Sequence, residues 1–553
     1  EYEELPAVFD ALEAIRSGSP VLHDAFAGNI FKHSKLRHGN IEAAFAEADE
    51  IFEDTFTSPL AQQTSLEPHV TVAQWAGEQL TVWTGAQAPF NVRRVLAEIF
   101  GCAAEAVRVI VPPLGGAYGG KGHVRIEPIV AALARKTGGR PVKIVLSRAE
   151  EFVTVTKHAA TLTLKTGVRR DGTFTARQVT LYWNGGAYAD ASPMLVPGGM
   201  VRSVGPYRIP VVRVDSFGIY TNLPPAAAYR GAMSSQTTWA YESQMDIIAR
   251  KMGWDPLEFR LKNMLRSGEQ FATGETMHDV YFVECLEAAV KGLPPSPVRK
   301  DAEQGRRARG VGCAVMMKST MANSKSQAKI KLSADGTVTL YTSTVEMGQG
   351  AHTTMAQITA EALGVPLGVV RVVGPDTAIT PFDSTTSGSR STNMMGSAVL
   401  AAADELKKKL IALTAPILET PSEDLRAGRG AIASATDTVA YPDVLKRNNL
   451  ESLDAVGEFA TAFSLDPETG QGISTPHWHQ GAGAAEVEVD VETGKVTVLR
   501  YSSASFAGRV VNPRLAELQN DGNVIYGLGP ALLEEMVIDG GQVTNPNLSD
   551  YMI

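Results

Sequence analysis

The chain has 553 residues, of which 44% are hydrophobic and 20% charged. This composition excludes a fibrous or intrinsically disordered protein, and the length predicts about three or four domains. The net charge of -9 is spread along the chain without a basic stripe, so we expect no nucleic-acid partner. The apolar runs are too short for a membrane span. The cysteines Cys102, Cys285 and Cys313 form no C-x-x-C pair, which disfavours a disulfide framework or an iron–sulfur site and favours a cytoplasmic location.

A unit of strand, helix, strand and glycine-rich loop is predicted twice along the chain. In the first copy, a strand at 80–84 leads to Gln87, a helix at 92–100 and a strand at 107–111. The second copy repeats the order with a strand at 337–341, Gln349, a helix at 353–363, a strand at 369–373 and a loop at 387–391. Chance similarity between two α/β stretches is the alternative. A true duplication predicts one ligand held between the two halves.

The loop at 115–121 follows a predicted strand and fits part of a phosphate-loop pattern, G-x-x-x-x-G-K. A nucleotide-binding loop needs Ser or Thr after the lysine, and Gly122 has no side chain to hold Mg²⁺. Glycines still allow backbone N–H groups to converge on an anion or an oxo group. A tight turn packed on a neighbouring strand is the structural alternative.

Three further segments carry groups suited to ligand binding. Gln349 stands between glycines before a helix, where its amide can donate to and accept from a polar heterocycle. The segment 387–392 offers hydroxyls, amides and the guanidinium of Arg390, which are groups that hold phosphate oxygens, although a solvated loop is the alternative. Arg230, close before a predicted helix at 236–252, can meet an anion. His352 is expected to be a helix residue rather than a metal ligand.

The pair His477 and His479 looks like a metal-binding pair, because alternate residues of a strand share one face. No carboxylate or third ligand is nearby in the sequence, so we expect no metal there.

Taken together, these segments resemble the large molybdopterin-binding subunit of the molybdenum hydroxylase family that includes xanthine dehydrogenase and aldehyde oxidase. The segments that carry the resemblance, in the family's order, are 63–68, 115–121, 228–231, 346–350, 388–392 and 485–490. The resemblance implies an elongated α+β fold of two related molybdenum-cofactor-binding domains, built from mixed sheets and helices, with the cofactor between them.

The same resemblance implies the domain boundaries. Residues 1–24 would be the end of a preceding small, hammerhead-like domain, and residues 25–293 the first molybdopterin-binding domain. The segment 294–309 is rich in Pro, Lys and Arg and has no apolar period, so its composition predicts a linker. By resemblance, a second domain that is truncated at its C-terminus follows at 310–553.

By resemblance, Gln87 should hydrogen-bond the oxo ligand of the molybdenum, and the metal should be held by the pterin dithiolene with no direct protein ligand. Backbone groups around Tyr118 and Arg230 should line the oxygen face of the metal. The residues expected to bind the cofactor, as molybdopterin or its cytosine dinucleotide, are Gly116, Ala117, Tyr118, Gly119, Arg230, Gly348, Gln349, Gly350, Gly388, Ser389, Arg390 and Ser391. The family's catalytic base is a glutamate in a Gly-Ala-Lys-Gly-x-Gly-Glu loop, expected here beyond Ile553, and Glu458 is not expected to replace it.

Two departures from the family narrow the substrate. Gly122 stands where purine-oxidising members carry a glutamate, and Gly231 where carbon monoxide dehydrogenases carry a cysteine, so both are expected in the substrate pocket. An aldehyde or a nonpurine N-heterocycle, hydroxylated with oxygen from water, is the remaining expectation.

Electrons are then expected to pass to a separate iron–sulfur (2Fe–2S) subunit and an FAD subunit, in a dimer of heteromers. Two alternatives stay open, a reductive relative similar to hydroxybenzoyl-CoA reductase and a noncatalytic cofactor-binding half that another chain completes.

Overall fold

The computed structural model describes residues 3–293 and 306–553, which form mixed sheets and helices in two halves. The elements of the first half are α1 (Ala11–Ala14), β1 (Ile30–His38), α2 (Ile41–Ala46), β2 (Glu50–Ser58), β3 (Val70–Ala76), β4 (Gln79–Thr84), α3 (Pro89–Phe100), β5 (Val107–Ile110), α4 (Glu127–Arg135), β6 (Val142–Val145), α5 (Arg148–Thr154), β7 (Thr156–Lys157), β8 (Ala160–Val168), β9 (Phe174–Gly186), α6 (Ser192–Arg202), β10 (Val211–Tyr220), β11 (Ala226–Ala227), α7 (Ser234–Met252), α8 (Pro256–Asn263) and α9 (Phe282–Lys291).

The second half continues in the same mixed style. Its elements are β12 (Arg307–Ser319), β13 (Asn323–Ser333), β14 (Val338–Tyr341), α10 (Ala351–Leu363), β15 (Val370–Val373), α11 (Ser391–Leu418), β16 (Arg426–Gly428), β17 (Ala431–Ala433), β18 (Thr438–Ala440), α12 (Tyr441–Arg447), β19 (Ser452–Ala462), β20 (Trp478–Asp490), β21 (Val496–Phe506), α13 (Pro513–Leu532), β22 (Ile538–Asp539) and β23 (Gln542–Val543).

The duplicated unit is present as two four-stranded sheets. One has the strand order β5-β4-β3-β6 and the other β15-β14-β13-β19. In both, the first two strands are parallel and the remaining pairs are antiparallel. Since α3 and α10 each connect the two parallel strands of their sheet, the structure confirms the predicted repeat of strand, helix and strand.

A shared apolar core joins the halves behind these sheets. The five-stranded sheet β1-β10-β9-β8-β2 packs on α6 and α7, and the same buried cluster includes Val315 on β12 and Ala482 on β20. Helix α9 buries residues at positions i, i+3, i+4 and i+7, the helical period, and packs on β20 and β21. Helices of the first half therefore contribute to the core beneath strands of the second.

Backbone hydrogen bonds fix the two repeated sheets against each other. Ile110 at the end of β5 forms an antiparallel bridge with Asp376, which follows β15. The Asp376 carboxylate also accepts from Arg108 Nε at 3.0 Å. The loops that follow the parallel strands of both sheets are consequently held in one region.

The domain limits stay predictions, apart from one edge that the structure corrects. Strand β12 begins at Arg307, so residues 307–309 belong to the second half's first strand and not to a linker. Pairing of β12 with β20 overrides the polar composition that suggested a linker. The rest of the predicted linker, 294–305, lies outside the described residues.

In the N-terminal segment, Val8 and Ala14 pack with Ile219 of β10. Among the helices of the described ranges, none combines the length and the apolar character needed to cross a bilayer.

Candidate functional site

Gln87 lies between the two halves, just beyond the end of β4, and is 3% exposed. The side-chain Nε2 of Gln87 donates to the backbone carbonyl of Thr386 at 2.8 Å, and the backbone carbonyl of Gln87 accepts from Thr386 N at 2.9 Å. The carbonyl partner fixes the orientation of the amide, leaving Oε1 buried without a hydrogen-bond partner among the residues that the structure describes. Buried amide oxygens are rarely left unpaired, so Gln87 has unused capacity for a ligand, through Oε1 and the second N–H of Nε2.

The glycine loop after β5 depends on a close approach that only glycine permits. Gly119 has φ +104°, and a Cβ there would lie 2.4 Å from the carbonyl oxygen of Ala228. Arg230 N donates to the carbonyl of Tyr118 at 3.0 Å, so the loop and the segment around Arg230 run side by side. The structure thus brings together two segments that the sequence analysis placed at the same site.

That bond occupies the backbone N–H of Arg230. The prediction that backbone N–H groups line the oxygen face of the metal therefore applies to the residues next to Arg230. Its guanidinium forms a buried ion pair with Glu534, with Nη1 to Oε1 at 2.7 Å, and donates to Thr64 Oγ1 at 2.8 Å. Glu534 also accepts hydrogen bonds from Tyr229 and Tyr551 at 2.9 and 3.0 Å. Burial acts to lower the pKa of Arg230, but the neighbouring Tyr229 and Glu534 outweigh it and raise that pKa.

Lys121 is a structural residue of the same loop rather than a phosphate ligand. Its side chain is buried, and Nζ lies 3.3 Å from Glu67 Oε1. Burial lowers the pKa of Lys121 although the Glu67 carboxylate opposes that shift. The other Glu67 oxygen accepts from Gly115 N at 2.5 Å, so this pair fixes the start and the end of the loop. The environment agrees with the rejection of a nucleotide-binding loop.

The loop around Gln349 is closed by its own side chains. Oε1 of Gln349 accepts from Met347 N at 2.7 Å, and Nε2 donates to the carbonyl of Val345 at 2.8 Å. The Glu346 carboxylate accepts the backbone N–H groups of Gly348, Gly350 and His352. Each end of the Gln349 amide retains one further hydrogen-bonding position, so its predicted contact with a pterin stays a prediction.

The loop before α11 differs from its prediction in one residue. Gly388 and Ser389 have positive φ, and Ser391 is the first residue of α11. The guanidinium of Arg390 points into the second half, where Nη1 donates to Asp383 Oδ1 at 2.8 Å and Nη2 to Ser326 Oγ at 2.6 Å. Because this side chain is fully buried and paired with an acid, the expected grip of Arg390 on phosphate is corrected to a structural role. The prediction for this loop narrows to Gly388, Ser389, Ser391 and the backbone.

The two glycines expected in the substrate pocket have room beside them. A Cβ at Gly122 would meet only the Gly119 carbonyl oxygen at 3.4 Å, and one at Gly231 only Ser234 Cβ at 4.0 Å. Gly122 also follows Lys121, whose carbonyl accepts from Gln87 N at 2.8 Å. Gly122 is therefore the residue directly after Lys121, the hydrogen-bond partner of the Gln87 backbone.

Several residues of this region escaped the sequence analysis. Glu534, Thr386 and Tyr526 are far from Gln87 and Arg230 along the chain, and no local pattern marks them. The Tyr526 hydroxyl lies 2.8 Å from that of Tyr118.

Glu458 lies on the exposed side of β19 and pairs with Lys325 at 2.7 Å. In the described ranges, no group of three or more His, Cys, Asp or Glu residues could hold a metal ion.

Comparisons with known proteins agree with this architecture. Residues 22–264 and 295–553 each match a family model described as a molybdopterin cofactor-binding domain. The xanthine dehydrogenase molybdenum-binding subunit of Escherichia coli O157:H7 is 33% identical over 572 residues, covering 100% of this chain and 74% of that protein. The nicotine 6-hydroxylase large subunit of Paenarthrobacter nicotinovorans is 28% identical, covering 100% and 70%. The structure of quinoline 2-oxidoreductase from Pseudomonas putida 86 matches with a TM-score of 0.90 and 26% identity, covering 100% and 73%.

Fold, site and matches together define a chain made of two molybdopterin cofactor-binding domains. The chain belongs to the xanthine dehydrogenase family of molybdenum-binding subunits.

Proposed function

We propose that this chain is the molybdenum-binding catalytic subunit of a hydroxylase that acts on an aldehyde or a nonpurine N-heterocycle. Water supplies the oxygen, and electrons leave to iron–sulfur and flavin partner subunits. The observation that carries the proposal is Gln87, whose buried amide has unused hydrogen-bonding capacity where the two cofactor-binding halves meet.

The residues present fit a molybdenum–pterin cofactor. Buried, unpartnered amide oxygens occur on both Gln63 and Gln87, and Gly116 and Gly119 adopt positive φ in the adjoining loop. When bound, this cofactor supplies the redox chemistry that oxidises the substrate and activates oxygen derived from water. It requires no metal-ligating side chain from the protein, because the pterin dithiolene holds the metal.

Each part of the chain has a separate task in this proposal. The second N–H of Gln87 Nε2 would donate to the cofactor's oxo group, because the hydrogen bond to Thr386 holds the amide in one orientation. The loop 116–119 closes one side and excludes water. Gln349 and the loop 388–391 hold the pterin and its phosphate oxygens.

The substrate class follows from the space beside Gly122 and Gly231. Without a side chain, Gly122 cannot hydrogen-bond a purine ring, and a larger apolar substrate can occupy the position. Two of the relatives are named for nicotine and quinoline, which are nonpurine N-heterocycles. The relative that is 33% identical is named for xanthine dehydrogenase, so the preference for heterocycles and aldehydes over xanthine rests on the missing side chain of Gly122.

The test begins with the molybdenum and pterin content of the purified native complex and of its Gln87→Ala variant. We expect near-stoichiometric cofactor in the native complex. Loss of the Gln87 donor should lower turnover of quinoline or benzaldehyde about 100- to 1,000-fold, since a positioned donor to developing charge contributes on this scale. Molybdenum and pterin missing from a folded native complex would refute the proposal.

Gln74→Ala is the matched control. Its Nε2 also donates to one carbonyl, that of Gly139 at 3.0 Å, but it lies on β3. This variant should retain cofactor and turnover. Equal turnover in the Gln87→Ala and Gln74→Ala complexes would remove Gln87 from the site.

A further inference from the structure

A group of buried and half-buried basic side chains lies beside Gly388 and has no role in the site described so far. We name Arg202, Lys318, His477 and His479 the basic cluster. Arg202 ends α6, Lys318 lies near the end of β12, and His479 is its direct neighbour on β20. Nζ of Lys318 donates to the carbonyl of Gly388 at 3.1 Å. The cluster therefore adjoins the loop expected to hold the cofactor.

The charges of the cluster are not neutralised by acids. Lys318 and Arg202 are only 8% and 7% exposed. Across residues 3–293 and 306–553, neither forms an ion pair with a carboxylate, whereas buried Arg230, Arg260 and Arg390 each pair with one. Burial, together with the charge of Arg202, lowers the pKa of Lys318 to about 7, and burial lowers that of Arg202 to about 10. Buried cations without a counter-charge are unfavourable in the absence of an anionic ligand.

The histidines add unused hydrogen-bonding atoms. Nδ1 of His477 and Nε2 of His479 are buried without partners in the described part of the chain, and the two rings are 4.8 Å apart. Burial and the charge of Lys318 lower the pKa of His479 to about 2, so its imidazole is neutral and has a single N–H, which is hydrogen-bonded to the backbone of Gly388. The ammonium of Lys318, the guanidinium of Arg202 and an N–H of His477 together match the oxygens of a carboxylate or a phosphate.

Arg202 links the basic cluster to the region of the predicted substrate pocket, beside Gly231. Its Nη1 donates to the carbonyl of Ala232, the residue after Gly231, and Nη2 donates to that of Ser319 at 3.0 Å. A Cβ at Gly198, one helical turn earlier on α6, would lie 3.1 Å from Arg202 Cζ. The absence of a side chain there lets the guanidinium lie across the helix, between the positions Gly231 and Gly388.

We infer that the basic cluster binds an anionic group carried by the substrate, so that the enzyme acts on a carboxylated or phosphorylated aldehyde or N-heterocycle. The inference rests on the proposed function and specifies its substrate class. A phosphate of the cofactor offers the same chemistry to the same groups, and the experiment separates the two sources of the anion.

The experiment compares neutral and anionic substrates in the purified native complex, as wild type and as Lys318→Met. The probes are benzaldehyde with 4-carboxybenzaldehyde, and quinoline with quinoline-4-carboxylate. We expect wild type to favour the carboxylated member of a pair. Lys318→Met should lower kcat/KM for that member about 10- to 100-fold, mainly through KM, because one charge-assisted contact to an anion is lost. The neutral member should change by less than about twofold on the same reasoning.

Two further variants show whether charge is responsible. Lys318→Arg keeps the positive charge and should recover most of the preference for the anion. Lys331→Met, on β13 in a different sheet, removes a lysine away from the cluster and should leave both substrates unchanged. Equal preference in wild type and Lys318→Met, with cofactor content unchanged, would overturn the inference.

The cofactor content identifies the source of the anion. Unchanged molybdenum and pterin in Lys318→Met, with selective loss of the carboxylated substrate, support a substrate anion. Parallel loss of cofactor and of both substrates would assign the cluster to the cofactor phosphate and overturn the substrate class.

Direct binding keeps this inference distinct from the proposed function. If a cofactor-loaded wild-type complex oxidises none of the probes, the proposed function fails on its own account. Calorimetric titration with 4-carboxybenzaldehyde still tests the cluster. Binding that is about tenfold weaker in Lys318→Met supports an anion site, and equal binding overturns it.

Discussion

The two ligand loops of this protein differ in how the nearby cations are neutralised. Beside the loop 115–121, Lys121 pairs with Glu67 and Arg230 with Glu534, so both charges have an internal partner. Beside the loop 388–391, the hydrogen bonds that Lys318 and Arg202 form within residues 3–293 and 306–553 go to carbonyl and hydroxyl oxygens. The two cations beside the loop 115–121 are therefore neutralised within the protein. The cations beside the loop 388–391 leave positive charge available to a ligand. Equivalent positions in a duplicated fold have thus acquired different electrostatic roles.

The largest effect on stability is expected from Glu534→Gln, which removes the carboxylate that neutralises Arg230. The change leaves the Arg230 guanidinium buried opposite a neutral amide. Breaking a buried pair in this way lowers the free energy of unfolding by about 3–5 kcal/mol. Glu535→Gln is the control, because the neighbouring glutamate is exposed. Denaturant titration measures both variants, and similar midpoints would show that the Arg230–Glu534 pair does not hold this side together.

A second comparison uses two glycines of similar φ in the two halves. Gly119 has φ +104°, and a Cβ added there would lie 2.4 Å from the Ala228 oxygen, whereas Gly348 has φ +100° with nothing within 4 Å. Alanine at either position adds backbone strain, but only Gly119→Ala also displaces the Ala228 segment. We expect losses of about 2–4 kcal/mol for Gly119→Ala and about 1 kcal/mol for Gly348→Ala in the unfolding free energy. Equal losses would mean that backbone conformation alone requires glycine in the first loop.

The smallest effect concerns the pH dependence of stability at the side that is not neutralised. The pKa of Lys318 falls from 10.5 to about 7 on folding, with burial as the main cause. Between these values the unfolded chain holds more protons, so stability rises with pH, while the full penalty applies below about pH 7. Lys318→Met removes the penalty and should exceed wild type in stability.

The advantage of Lys318→Met should shrink by about 1 kcal/mol between roughly pH 6 and pH 8. Denaturant titration of both proteins at the two pH values measures the difference, to which His477 and His479 also contribute because the charge of Lys318 lowers their pKa values. A constant difference would show that Lys318 keeps its proton in the folded protein.

Local patterns are enough to predict the repeated units. Apolar periodicity predicts the helix at 92–100 and the strand at 337–341, and the structure has them at Pro89–Phe100 and Val338–Tyr341. The glycine loop and Gln87 are also found, because turn residues after a strand leave a local signal. The fold and one half of the candidate site can therefore be predicted.

Side-chain direction is the point at which prediction from sequence fails. Arg390 lies in a polar loop and is expected to face phosphate, yet its guanidinium binds Asp383 in the interior. His477 and His479 resemble a metal pair in sequence, and the structure places them beside Lys318. Arg202 and Ser319 are 117 positions apart and are brought into contact only by the packing of α6 on β12.

The sequence by itself determined the mixed fold, its duplication and the family, because periodicity, turn chemistry and ordered motifs are local properties of the chain. Only the tertiary structure decided which buried cations have acid partners. That pairing depends on contacts such as Arg230 with Glu534, across 304 positions, and on the burial that makes an unpaired charge unfavourable. Neither distance nor burial exists until the two halves have packed together.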